Sequence, residues 1–298
     1  MQNVKLINYL HLHFLVLIAG FTAILGELIS LEAIPLVWYR MTIAGVLMFI
    51  FIKLKKTTLK VPLKAIIRFS IAGIIIALHW ITFFAAIKAS NISITLAMFS
   101  TGAFFASFIE PLFYKRKIIA YEIVFGCIVI FGIILITQTE LRYILGIALG
   151  ISSALFSTLF AVLNGKFVKD YKPSVISFYE FVSGVLFISI FIVFTGDGFD
   201  KSYFQLTNSD WIYLFILASI CTAYAFIASV YVMKVISPYT VVLSYNLEPI
   251  YGIFLAVILF PEKEHMSSNF YYGALVIFST ILLNAILKNI RFLKRKRS

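Results

Sequence analysis

Little of this chain is charged: 25 Lys and Arg with 13 Asp and Glu make up 13% of its 298 residues. Soluble domains carry about 25% charged residues, and 62% of this chain is apolar, so a soluble globular protein is excluded. Cysteine is nearly absent. Cys127 and Cys221 lie far apart inside apolar runs, with no Cys or His at ligand spacing. That excludes a disulfide framework and a thiolate metal site, and casts both as buried small hydrophobes. Enzyme signatures are missing too: there is no HExxH, GxSxG, Walker loop or glycine-rich dinucleotide turn, the arrangements that metal, nucleophile and phosphate chemistry require. His11 and His13 are two apart and point to different faces of a helix. No catalytic residue, metal site or cofactor is expected, and ATP-driven transport would need a partner chain.

What the chain has instead is long apolar runs. A span needs about 20 mostly apolar residues, and ten stretches qualify: 10–28, 34–52, 66–87, 92–113, 119–137, 143–163, 175–194, 211–233, 239–260 and 271–287. The first, preceded by Lys5, resembles a signal peptide, but no small-residue cleavage site follows before Glu27, so it reads as a retained helix. The net charge of +12 does not point to nucleic acid, because the basic residues sit between apolar runs and form no patch on a soluble face. They sort by side. With the N-terminus cytoplasmic, inside segments hold 20 of the 25 Lys and Arg, outside segments hold Lys88, Arg142, Lys201 and Lys263, and Arg40 lies within a span. This positive-inside bias places both termini in the cytoplasm, where the basic tail after Leu287 would meet anionic headgroups.

The chain also repeats. A shift of 146 lays Lys88–Arg116 on Lys234–Glu262, matching loop and span lengths, and a shift of 147 lays GCIVIFGIIL from Gly126 on GALVIFSTIL from Gly273. Residues 1–138 and 139–298 thus form two five-span units, and because five is odd the second must cross in the opposite sense. The loop chemistry inverts accordingly, from KRK at Lys115–Lys117 to PEKEH at Pro261–His265. The expected fold is therefore an all-α integral membrane protein of ten transmembrane helices in two inverted repeats. Such repeats characterise secondary transporters, with substrate bound near the midplane between them.

Two sets of residues carry a family resemblance: His79-Trp80-Ile81-Thr82-Phe83-Phe84 running into Ala86-Ile87-Lys88 and Asn91, then Lys234, Ser237-Pro238, Glu248-Pro249 and Pro261-Glu262 in the second half. On these the chain resembles the EamA-type ten-helix exporters of the drug/metabolite transporter superfamily. It departs in two places: Gly102-Ala103 stands where the family's first unit usually has proline, and Arg116 where it usually has glutamate. The resemblance implies export of amino acids or similar metabolites, alternating access, coupling to an ion gradient in some members, and a bacterial-type inner membrane. Protons are the candidate coupling ion, the other partners are a small-molecule substrate and the bilayer, and the protein is a monomer or homodimer.

Ionisable side chains within spans are costly and mark functional sites. Glu248 lies roughly 14 Å into span nine by helical rise, near the midplane, and is the leading substrate or coupling candidate with Asn246, Ser244 and Tyr245 in its turn. Pro249 should kink the helix and free the Tyr245 carbonyl; with Glu180 it forms the candidate gating pair. Arg40 and His79 fall at about the same depth in the outer half, where Arg40 would clamp a carboxylate and His79 would hydrogen-bond it or relay a proton. The bland alternatives are snorkelling or pairing of Arg40 with Glu27 or Glu32, a structural bond for His79, and a Lys172 pair for Glu180. Trp80 adjoins the polar cluster and joins the candidates. Glu110 falls near the cytoplasmic face and is expected to pair with the KRK loop. Gly146 and Gly150 form a GxxxG suited to close approach within the fold or to dimerisation. A membrane enzyme acting on a lipid or isoprenoid, and a channel, are the competing functions; the enzyme would need acidic or His residues clustered at one interface.

Overall fold

The computed structural model describes the chain apart from residues 1, 116, 118, 196–197, 201, 233–234, 237–243, 246 and 298, and apart from the side chains of 2–5, 120, 202, 230, 285 and 288–297. Among the described residues every regular element is helical: α1 (Gln2–Leu28), α2 (Ala33–Leu54), α3 (Leu63–Ala89), α4 (Ile92–Phe99), α5 (Gly102–Tyr114), α6 (Ala120–Thr139), α7 (Ile144–Phe167), α8 (Pro173–Phe194), α9 (Asn208–Ala218), α10 (Ala225–Val232), α11 (Glu248–Leu259) and α12 (Ser268–Arg297). Eight helical stretches are long and apolar enough to cross a membrane, and α11 is a shorter apolar helix. The protein is all-helical and membrane-spanning. With no water in the bilayer core, only helices that satisfy their own backbone bonds survive there. Large apolar residues accordingly face outward, Ile123, Val124, Ile130 and Phe131 along α6 and Phe194 at the end of α8. Cys127 joins them at the exposed surface while Cys221 is buried: inside lipid an apolar run does not imply burial in protein, which corrects the reading of both cysteines as interior.

Two spans are interrupted. The fourth breaks between α4 and α5, where the Ser100 and Thr101 hydroxyls donate back to the Leu96 and Met98 carbonyls at 2.8 and 2.7 Å. Thr158 of α7, whose single hydroxyl proton is shared between its own Ala154 carbonyl at 2.8 Å and the Gly102 carbonyl at 3.2 Å, packs against the start of α5. A β-carbon on Gly102 would lie 3.2 Å from that same Thr158 hydroxyl. The break therefore occurs without the proline that a related chain would use; the Ser100 and Thr101 hydroxyls bond back to carbonyls that also accept the Ser100 and Thr101 amides, a back-bonding that bends helices. In the ninth span α11 starts at Glu248 with Pro249 in its first turn. There the missing N–H costs nothing; residues 244–245 just before it are also helical, and residue 246, on which the expected kink turns, lies outside the described residues. By the 146-residue shift, Gly102 and Glu248 are equivalent starts. Span eight runs from α9 through a π-helical segment, Ser219–Tyr224, into α10.

Packing pairs the two halves. Helix α2 packs on α8, α6 on α12, α1 on α11, α4 and α5 on α7, and α3 on α7 and α8. At the α6–α12 crossing, a β-carbon on Gly132 would lie 3.0 Å from the Gly273 carbonyl, and one on Gly273 2.8 Å from the Gly132 carbonyl, so the backbones approach as only glycine permits. Gly150 faces Met98 and Gly146 faces Ser90, which places the GxxxG inside the fold. At the end opposite Tyr114, Glu264 binds the α4 N-terminus, accepting from the Ile92 and Ser93 amides at 3.0 and 2.9 Å, while Asn91 caps the same turn. Asp210 likewise accepts from the amide and hydroxyl of Ser30, both at 2.7 Å.

Candidate substrate cavity

Helices α1, α2, α3, α7, α8 and α10 line a cavity of about 420 Å³ whose wall carries Arg40, His79, Trp80, Asn164, Tyr245 and Glu248. A second, of about 700 Å³, adjoins it between α5, α7 and α11 and extends past Glu110 to Tyr114; the two share Phe99, Ser157, Ala161, Tyr245 and Glu248. Residues more than 200 positions apart in sequence thus line one space. Apart from its few polar groups the inner cavity is aromatic and aliphatic, with Phe83, Phe99, Phe160 and Phe226, the composition of a pocket for a small amphipathic solute.

Arg40 is buried. It neither snorkels nor reaches Glu27 or Glu32; Glu27 is taken by Lys263. Its Nε donates to the Thr222 hydroxyl at 2.9 Å, and its guanidinium carbon sits 4.0 Å from the centre of the Trp80 ring. Thr222 owes its position to the π-helical segment, where it donates in turn to the carbonyl of Leu217, five residues back, at 2.8 Å. Nη1 is buried without a hydrogen-bond partner. A guanidinium placed over an indole, bonded through Nε and unbonded at Nη1, has donor capacity of the kind that carboxylates and similar anions take up.

His79 stands on the same wall. Its Nδ1 meets the Ser153 carbonyl at 3.1 Å and the Ser153 hydroxyl at 2.8 Å, and that hydroxyl donates to the His79 carbonyl at 3.2 Å. A carbonyl can only accept, so in its bond to the Ser153 carbonyl Nδ1 is the donor, and the same side chain lines the inner cavity. Its ring stacks on Phe99 at 5.3 Å. The interhelical bond that was the bland alternative is therefore present, on a ring that also lines the cavity.

Glu248 lines both cavities and acts electrostatically on Arg40. Tyr245 shares a hydrogen bond of 2.7 Å with Ser229. Pro249 lines the larger cavity. Ser244 is half-buried and does not line these two cavities, and Asn246 lies outside the described residues, as do Lys234 and Ser237-Pro238. Glu110 lines the larger cavity, and Arg116, in the KRK loop expected to pair with it, lies outside the described residues. Glu180 is buried on α8 away from Lys172 and accepts from Asn164 Nδ2 at 2.7 Å. The residues that position these groups, Thr222, Ser153, Asn164 and Ser229, are uncharged polar side chains in apolar runs. Nothing in composition or spacing separates them from the many hydroxyls that merely bond back along their own helix.

The EamA-like transporter family profile matches residues 7–138 and again 144–286. The chain belongs to this family. It is an integral membrane protein of the drug/metabolite transporter type, built on two EamA repeats, and its family members are transporters and not enzymes. None of the curated proteins is a significant match to the sequence. A solved crystal structure superposes on this EamA-like chain with a TM-score of 0.64 over 95% of this chain and 98% of the other, at 13% identity, which speaks for a shared fold.

Proposed function

We propose that this EamA-like protein is a secondary active transporter that exports a small zwitterionic or amphipathic metabolite, of the amino-acid class, across the cytoplasmic (inner) membrane. Its two five-helix halves, residues 1–138 and 139–298, are inverted; ten spans leave both termini cytoplasmic, and the halves alternate access to the cavity between them. The observation that carries this reading is that Arg40, with its unbonded Nη1, and Glu248 line one largely aromatic cavity. A cation and an anion lining one cavity select a solute carrying both charges, and the aromatic rings contribute the apolar surface. The exchange of packing partners between halves and the helix breaks at the equivalent Gly102 and Glu248 support the inverted symmetry; the breaks supply hinges beside the cavity, with Pro249 at the second.

The test is uptake of a labelled amino-acid and metabolite panel into proteoliposomes by wild type and Glu248→Gln. Saturable flux whose half-saturation rises at least tenfold in the variant, about 1.4 kcal/mol of lost binding, is the expected result. Conductance that does not saturate would replace the transporter with a channel, and product formation without vectorial movement would replace it with a membrane enzyme.

A further inference from the structure

Glu180 lies outside the Arg40–Glu248 pair and is the more isolated charge. Its side chain is 0% exposed, Oε1 accepts from Asn164 at 2.7 Å, and Oε2 is buried with no hydrogen-bond partner. Its backbone is pinned where α8 crosses α3, since a β-carbon on Gly73 would meet the Glu180 carbonyl, and one turn on Ser183 bonds Ser70 at 2.9 Å. No cation answers the carboxyl among the described residues. On the helices packed against α8, Arg40 is turned to Thr222 and Trp80, His79 to Ser153, and Tyr39 to the Tyr203 carbonyl. On α8 itself Tyr179 donates to the Leu59 carbonyl. Lys88 donates to the Ile29 carbonyl, and Lys53, Lys64, Arg68, Lys166 and Tyr231 are exposed.

A carboxylate buried without a counter-charge costs several kcal/mol, and the cheapest remedy is to bind a proton. Glu180 has a route for one. Its partner Asn164 lines the inner cavity together with Ser177, one turn before Glu180 on α8. A metal ion would need several oxygen donors; here one amide nitrogen faces the carboxyl, and that nitrogen donates.

Resting on the transporter reading above, we infer that Glu180 is the coupling-proton site of this protein, loaded and emptied through the Asn164 wall of the cavity, while Glu248 faces the substrate. The proton enters on Oε2 from the water that reaches the cavity on one side, converting the carboxylate to the acid, and leaves to water on the other side once the halves have rocked. No other bond forms or breaks. The sequence alone casts this residue as a gate; its surroundings make it the store of the proton that such a gate would count.

Two measurements on the full chain in liposomes test this. With one proton carried per substrate, a gradient of one pH unit drives about tenfold accumulation. Glu180→Gln is expected to keep substrate counterflow within about twofold of wild type and to lose that accumulation; full accumulation in the variant would overturn the proposal. Infrared difference spectra between high and low pH should contain a protonated-carboxyl stretch that is absent in Glu180→Gln and shifted in Asn164→Leu, which removes the Oε1 partner without touching the acid. Absence of such a band would overturn the proton site even if Glu180→Gln fails to fold, because wild type and the Asn164 variant still report. If wild type moves no solute at all, the transporter reading falls by itself, and the infrared band still decides whether Glu180 binds a proton.

Discussion

Arg40 concentrates the energetic problem of this protein in one side chain, because a guanidinium at that depth is tolerated only if its protons find partners. One edge is answered by Thr222 and its face by Trp80, leaving Nη1 for a ligand. Arg40→Lys keeps the charge but not the planar fork or the stacking, so transport is expected to fall at least tenfold, with Arg40→Gln lower still; initial rates in proteoliposomes check this. Thr222→Val, which removes the hydroxyl that fixes Nε, is expected to weaken half-saturation by a factor of about 10 to 150, the worth of one hydrogen bond to a charged group, while leaving maximal rate closer to wild type. At this scale the sequence was most informative: an Arg, a His and two Glu within apolar runs stand out because burial of charge is costly, and Arg40, His79 and Glu248 do line one cavity. Their uncharged partners gave no comparable signal, and the pairing of Arg40 with Glu27 or Glu32 anticipated from nearby charge is replaced by a hydroxyl 182 residues away.

Among the elements, the caps and crossings carry stability. Glu264 accepts two amides at the α4 N-terminus, so it both satisfies orphan donors and meets the positive end of the helix dipole. Glu264→Gln should therefore cost about 1–3 kcal/mol, seen as a lower apparent Tm of the purified protein in detergent, with Glu262→Gln, in the same loop, as the comparison expected to change little. Gly132→Leu should separate α6 from α12, since even a β-carbon would press on the Gly273 carbonyl and Ile277; the expected outcome is loss of folded yield on size-exclusion chromatography. Helix extents follow from apolar run length and were legible to within a few residues for most spans. The interruption before Gly102 was not, because proline is the readable breaker and here a back-bonding serine and threonine take its place. The π-helical segment of span eight has no sequence mark either.

For the whole molecule, the alternating-access reading predicts that cysteines introduced in place of Ala106, on the wall of the larger cavity, and Thr22, on the wall of the inner one, are modified from opposite faces and in reciprocal proportion as substrate is added. The background must have Cys127 and Cys221 replaced, since the first is exposed and the second lines the inner cavity. Simultaneous labelling of both from one side in a locked state would describe an open pore instead. Membrane residence, the helical class, the internal repeat and the membership in a transporter family were all determined by the sequence itself, because each depends on local quantities: apolar length, charge between runs, and self-similarity at a fixed shift. What only the tertiary structure decided is which polar side chains share a wall, which of them are already satisfied, and which, like Arg40 Nη1 and Glu180 Oε2, are left waiting. Those depend on helix rotation and on contacts across well over a hundred residues of chain, and in lipid, where both faces of a helix are apolar, no hydrophobic pattern records the rotation.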